Sequence, residues 1–230
     1  MSALDDLLAA GVRVVEEGLS PGTSGNLSVR AGDRIMISGT GAPLGRMRPE
    51  DIAVLDLDGR HLDGAKPSKE WPLHIAFYQR DPGHRAVVHV HSPSAVAVAC
   101  LEPWSEHSAV PPLTPYFVMR VGQTPLLPYR RPGDPALGED LRTCPWELRG
   151  ALLANHGSVL AGTDLDEAVD RAAELEEACR ITLLTSGMPR RELTAEAVAE
   201  LAARWSSPWG ERTTLSPGEE VVHGEAATHS

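Results

Sequence analysis

The chain has 230 residues, 42% of them apolar and 23% charged, which is enough to bury a core without staples and excludes wholesale disorder. Aromatic residues make up only 4%, so the core must be built from Ala, Val, Leu and Ile. With 21 basic against 32 acidic residues the net charge is −11, the opposite of the basic stripe that a nucleic-acid partner requires.

In chain order, Leu4, Leu7, Leu8, Val12 and Val15 recur at helical spacing and predict a helix over residues 3–18, capped by Ser2. A turn-rich stretch, residues 20–26, leads into a strand at 27–30. Its hairpin partner at 33–38 places Ile35 and Ile37 on one face. The small-residue loop Ser38-Gly39-Thr40-Gly41 follows, then a third strand at 53–57 closed by the turn Asp58-Gly59. Residues 69–80 read as a helix with Leu73, Ala76 and Phe77 at core spacing, Ser68 at the N-cap and Pro72 in the first turn. Residues 86–91 predict a strand and 94–101 a short apolar helix. The proline-dense stretch 103–134 reads as loop and edge strand.

Beyond it, residues 136–143 predict a helix, 151–155 a buried strand, and 158–161 its hairpin partner across Gly157. A long amphipathic helix over 165–186 is closed by Gly187, and residues 194–205 form a last one. Helices interleaved with strands that are joined by short hairpins predict an α/β fold with helices flanking a mixed or antiparallel sheet. The expected organisation is one domain over 1–205 and a flexible tail over 206–230.

Three widely separated cysteines, Cys100, Cys144 and Cys179, form no C-x-x-C pair and argue against a disulfide framework. The longest apolar run is seven residues, 95–101, against the roughly 20 that span a bilayer. With an acidic N-terminus, the expectation is a cytoplasmic protein with no membrane partner.

The sharpest local signal is Val88-His89-Val90-His91. Side chains alternate on a strand, so His89 and His91 share one face while Val88 and Val90 turn to the core. Two such imidazoles can converge on one ion, and they equally suit a sheet surface with no metal. His156, at the end of the apolar run Leu152-Leu153-Ala154-Asn155, is a third candidate; the alternative is a hydrogen-bonded histidine at a strand–turn junction. Glu70, in the first turn of its predicted helix, is a candidate base or a plain partner of the helix dipole. His74, one turn on, suits packing or support of Glu70 better than ligation. Gly25-Asn26, Thr40-Gly41 and Ser68-Lys69 each offer unobstructed N–H groups or short donors for an anion, although each alone is also an ordinary turn.

Taken in order, Ser24-Gly25-Asn26-Leu27-Ser28, Ser38-Gly39-Thr40-Gly41, Lys66-Pro67-Ser68-Lys69-Glu70, His89-Val90-His91-Ser92 and Leu153-Ala154-Asn155-His156-Gly157 resemble the class II aldolase/adducin family over about residues 3–205. The resemblance implies a three-layer α/β/α sandwich around a largely antiparallel sheet, and a homotetramer with active sites at subunit interfaces. It implies zinc held by His89, His91 and His156, with Glu70 as the proton-transfer group and a further metal donor; Mn2+ or Co2+ suit the same donors. It also implies a substrate phosphate at Gly25, Asn26, Thr40, Gly41, Ser68 and Lys69.

Within the family, residues 112–122 and 127–135 resemble the branch of 3-oxo-tetronate 4-phosphate decarboxylases, as does Ser68-Lys69-Glu70. The substrate implied is a phosphorylated four-carbon keto acid, which loses CO2 to leave an enediolate of dihydroxyacetone phosphate. Tyr116 matches a tyrosine that, in the family's aldolases, reaches the site of a neighbouring subunit. Arg120 is a candidate receptor for the substrate carboxylate or, equally, a salt-bridge partner. A sugar-phosphate aldolase or epimerase of the same fold is the alternative, and a non-catalytic adducin-like module a remoter one. No tyrosine follows Tyr129 to match the C-terminal tyrosine of the aldolases.

Overall fold

The computed structural model describes residues 2–20 and 24–212. Helix α1 (Ala3–Glu16) opens on a capping box in which Ser2 accepts from the Asp5 N–H and Asp5 reaches back to Ser2, and it buries Leu7, Ala10 and Val14. Strands β1 (Asn26–Ala31), β2 (Arg34–Ser38), β3 (Ile52–Asp56) and β4 (His61–Gly64) form an antiparallel meander. Helix α2 (Trp71–Arg80) crosses to the central strand β5 (Ala86–Val90), and α3 (Pro93–Val98) follows directly. A single π-helical turn, Phe117–Val121, precedes the two-residue strand β6 (Leu126–Leu127) and helix α4 (Ala136–Arg142). The hairpin of β7 (Gly150–Leu153) and β8 (Gly157–Gly162) leads into α5 (Leu165–Leu184) and α6 (Ala195–Trp205).

The strands form one sheet in the order β4-β3-β2-β1-β5-β8-β7-β6, antiparallel except for the β6–β7 edge pair. Alternation along the strands divides the core in two. Val88 and Val90 of β5 join Leu7 and Val14 of α1, Ala95 and Val98 of α3, and the apolar stripe of α5. Ile35, Ile37, Val87 and Val159 turn to the other face, against Leu73 and Phe77 of α2 and Leu137 and Leu141 of α4. This is the three-layer sandwich that the resemblance implies. Both phenylalanines of the chain, Phe77 and Phe117, are fully buried.

Several boundaries depart from expectation. Helix α2 starts at Trp71, with Glu70 rather than Ser68 at its N-cap. The Ser68 N–H is drawn to the Ser38 carbonyl at the end of β2, which keeps 66–69 extended, and the Ser68 hydroxyl instead accepts from the Glu70 N–H. Strand β4 is fully exposed and so has no apolar alternation to betray it. The expected tail does not begin at 206. Ser207 is buried, Trp209 packs on the core, and Gln123 accepts from the Gly210 N–H while donating to the carbonyls of Glu147 and Glu211. Residues 213–230 lie outside the described residues, as do 21–23 of the expected first turn. Among the described residues no helix is long and apolar enough to cross a membrane.

Candidate metal centre

The centre forms where β1, β5 and β8 run side by side beneath the start of α2. Asn26 of β1 pairs with His89 of β5, which pairs with Val159 of β8. His89 therefore projects to the α2 face of the sheet. His91 lies just past the end of β5 rather than within it, and His156 sits in the β7–β8 turn beyond the last paired residue, Leu153. That turn includes Asn155, whose φ of 56° is left-handed, a conformation asparagine tolerates better than most side chains. Gly157 is the only residue that fits next to His156, because a Cβ there would stand 2.5 Å from the Val90 carbonyl oxygen and 2.9 Å from His91 Cδ2. Gly25 serves the same purpose on β1's side: its φ is 89° and a Cβ would meet the His89 carbonyl oxygen at 2.8 Å.

These constraints bring three imidazoles and one carboxylate together. The potential donor atoms of Glu70, His89, His91 and His156 all lie within 4.8 Å of one another. The rings stand edge to face with centroids 4.8–5.0 Å apart. Nε2 of His91 is 3.0 Å from Nε2 of His89. The two Glu70 oxygens divide between neighbours, Oε2 at 3.2 Å from His89 Nε2 and Oε1 at 3.2 Å from His156 Nε2. Glu70, His89 and His156 are buried and His91 is half-buried.

The hydrogen bonding of this group suits a cation. His89 Nδ1 is 2.8 Å from the Ser158 carbonyl oxygen, which can only accept, so Nδ1 carries a proton and a neutral ring turns its Nε2 lone pair to the centre. Glu70 Oε1 and both nitrogens of His156 are buried without a hydrogen-bond partner. Burial, reinforced by His89 and His156, pushes His91 down to about 4, so its imidazole is neutral at neutral pH. Burial acts to raise Glu70, yet His156, His89 and Asn26 outweigh it and hold the carboxyl well below the usual range. With Nε2 of His89 and Nε2 of His156 each 3.2 Å from the Glu70 carboxylate, a proton or a cation must lie among them. Three nitrogens and one oxygen are a donor set that divalent Zn, Mn and Co all accept.

Around the centre, two of the three expected anion loops meet. Gly39 bridges to Pro67, the Thr40 N–H donates to the Lys66 carbonyl, and the Thr40 hydroxyl to the Pro67 carbonyl. Lys69 is exposed, and Gly133 of the 131–134 turn packs against its side chain. The Asn26 side chain is not turned to solvent as an anion donor would be; it is buried between Glu70 and His74. His74 is not part of the donor group, and burial pushes it down to about 3, so it is neutral. Tyr116 and Arg120, beside and on the π-helical turn, stack on each other at 5.6 Å, and neither belongs to the donor group. Sequence reasoning missed the Ser158 carbonyl that sets the His89 tautomer. It also missed Glu176 of α5, whose two oxygens accept from the Ser94 and Ala95 N–H groups and so anchor α3 directly behind His91. Neither carries a local sequence signal, because each acts from far along the chain.

Comparison with known proteins agrees with this geometry. The family described as Class II Aldolase and Adducin N-terminal domain matches residues 5–183. A 3-oxo-tetronate 4-phosphate decarboxylase from Haemophilus influenzae is 43% identical over 190 residues, 82% of this chain and 90% of that protein. An L-fuculose phosphate aldolase from Escherichia coli (strain K12) is 31% identical over 194 residues, 83% of this chain and 87% of that protein. Among solved structures, YgbL from Klebsiella pneumoniae is similar with a TM-score of 0.83 at 36% identity, covering 87% of this chain and 99% of that one.

Proposed function

The chain belongs to the class II aldolase and adducin family, and from that premise we propose that it is a metal-dependent carboxy-lyase that converts 3-oxo-tetronate 4-phosphate to dihydroxyacetone phosphate and CO2. The observation that carries the reading is the higher identity to decarboxylases, 36–43% against 31–34% for L-fuculose phosphate aldolases. It is supported by an intact set of His89, His91, His156 and Glu70, which a non-catalytic module has no use for.

His89, His91 and His156 would hold the metal, with Glu70 as a fourth donor before substrate enters; zinc is the ion we assign. A divalent metal there would supply Lewis acidity to the oxyanion that develops at C3 of the substrate. The substrate is a β-keto acid. Its C1–C2 bond breaks, the electron pair becomes the C2–C3 double bond of an enediolate, and CO2 leaves. C2 then needs one proton, drawn ultimately from water. We assign to Glu70 the holding and delivery of that proton through Oε1, the oxygen 3.2 Å from His156 Nε2, while Oε2 accepts from the Asn26 amide at 2.9 Å.

The phosphate would lie along Gly25-Asn26, Thr40-Gly41 and Ser68-Lys69. In favour of this, the 38–41 and 66–69 loops are already joined, a Cβ at Gly41 would meet nothing within 4 Å, and Lys69, next to Glu70 in the chain, is exposed. Asn26 would take part through its backbone rather than its side chain. We assign Tyr116 and Arg120 to the site of a neighbouring subunit in a homotetramer; in favour of this, Tyr116 is 55% exposed and neither belongs to the group of Glu70, His89, His91 and His156. Free Cys144 and Cys179 within the core support a cytoplasmic location.

The test pairs metal analysis with CO2 release. About one divalent ion per chain, and chelator-sensitive CO2 from 3-oxo-tetronate 4-phosphate, are expected on the basis of one four-donor centre. Metal without CO2, together with cleavage of a ketose 1-phosphate, would make the protein an aldolase. Neither metal nor turnover after added zinc would remove it from the enzymes.

A further inference from the structure

Five buried polar side chains stand in single file from the far side of α2 to the centre: Tyr78, Ser28, His74, Asn26 and Glu70. None is more than 9% exposed. Their adjacency follows from two periods. Glu70, His74 and Tyr78 recur every fourth residue along α2, while Asn26 and Ser28 share one face of β1. Packing alone gives no reason for them, since buried polar groups cost free energy unless every one is hydrogen-bonded.

The atoms fix the direction of the file. A carboxylate only accepts, so Asn26 presents Nδ2 to Glu70 Oε2 at 2.9 Å. Asn26 Oδ1 is then 2.5 Å from His74 Nε2; an amide oxygen also only accepts, so Nε2 carries the proton. A neutral His74 has its lone pair at Nδ1, which accepts from the Ser28 hydroxyl at 2.7 Å, and the Tyr78 hydroxyl donates to Ser28 Oγ at 2.6 Å. Every donor points toward Glu70. Turning the Asn26 amide over would set an oxygen against the carboxylate and an NH2 group against the His74 N–H, two repulsions at once.

We propose that His74 is a positioning residue that acts on Glu70 through Asn26: its Nε2–H fixes which end of the Asn26 amide faces the carboxylate, and so holds Oε2 and leaves Oε1 for the proton. The significance for turnover rests on the reading of Glu70 as the proton-transfer group, but the hydrogen-bond direction does not.

Two measurements test it. Long-range imidazole NMR spectra of the metal-free protein report the tautomer without any substrate. His74 is expected as the Nε2–H form, and an Nδ1–H form overturns the proposal. Kinetics then test the route. His74→Leu should lower kcat about 10- to 100-fold with KM within about twofold, the scale of one lost hydrogen bond in a chain ending on a charge. His74→Gln, whose amide N–H reaches where Nε2 does, should restore most of that rate. In an Asn26→Ala background His74→Leu should cost nothing more, whereas additive losses would mean that His74 does not act through Asn26. Should His74→Leu fail to fold, the tautomer and the Gln variant still decide. Wild-type protein that shows the Nε2–H tautomer but releases no CO2 would refute the substrate and leave the positioning role intact.

Discussion

Gly157→Ala tests how tightly the centre depends on its hairpin. Gly157 has no left-handed φ, so the cost of a methyl group there is purely spatial. The added Cβ would lie 2.5 Å from the Val90 carbonyl oxygen and 2.9 Å from Cδ2 of His91, where ordinary contact begins at 3.4 Å. The first of these is backbone of the adjoining strand and cannot rotate away. The β5–β8 pair must therefore open by about 0.9 Å and the His91 ring must turn as well, a strain on the scale of overpacking a core, about 1–3 kcal/mol. At about 2–4 °C per kcal/mol for a domain of this size, the melting temperature should fall by roughly 2–12 °C.

The effect on metal should be larger. Metal–ligand distances tolerate only about ±0.2 Å, so a displaced His91 should weaken affinity about tenfold or more, read by competition with a chromophoric chelator. Wild-type affinity together with an unchanged melting temperature would refute the claim that this glycine is required by the approach of His91 and Val90.

Four further outcomes are expected. His91→Ala should fold and lose both metal and activity, and normal metal content by elemental analysis would remove it from the ligand set. Glu70→Gln should keep its metal but lose turnover by roughly 10²- to 10⁴-fold, the usual share of a proton-transfer group; near-normal kcat would end that assignment. Glu176→Ala should cost about 1–3 kcal/mol in denaturant unfolding, because the Ser94 and Ala95 N–H groups lose a charged acceptor, and an unchanged midpoint would show that water replaces it. A thiol reagent should modify exposed Cys100 promptly and spare Cys144 and Cys179, whose thiols burial pushes up; labelling of all three in native protein would contradict the described packing.

Much of the centre was legible because it is written in local patterns. The alternation of Val88-His89-Val90-His91 already put two imidazoles on the face opposite the core valines, and the ordered glycine-rich segments carried the family. The helix register was legible in part: Ser2 caps α1 as expected, whereas α5 ends at Leu184 with Thr185 at its C-cap, short of the expected close at Gly187. Three things were not. Strand β4 has four exposed residues and is held only by its neighbour's edge. The exact placement of Glu70 depends on the Ser38 carbonyl capturing Ser68 from another part of the chain. The buried file behind Glu70 was present in the sequence as two polar periods, every fourth residue from 70 to 78 and every second from 26 to 28, but only their juxtaposition across β1 and α2 gives them meaning. Asn26 illustrates the loss: read alone it is an anion donor, and read against His74 it is part of the carboxylate's support.

The strand order also has a consequence in time. The nearest contacts of the centre join residues 44 apart, Asn26 with Glu70, and 69 apart, His89 with Ser158. Loops of that length close slowly, and β1, β5 and β8 must all be in register before three imidazoles face one another. A half-folded chain offers an ion only a lone histidine or the His89-x-His91 pair, both weak sites. Metal should therefore be captured at the end of folding rather than guide it, so that chelator present during refolding leaves the rate of sheet formation unchanged and merely yields an empty, folded protein.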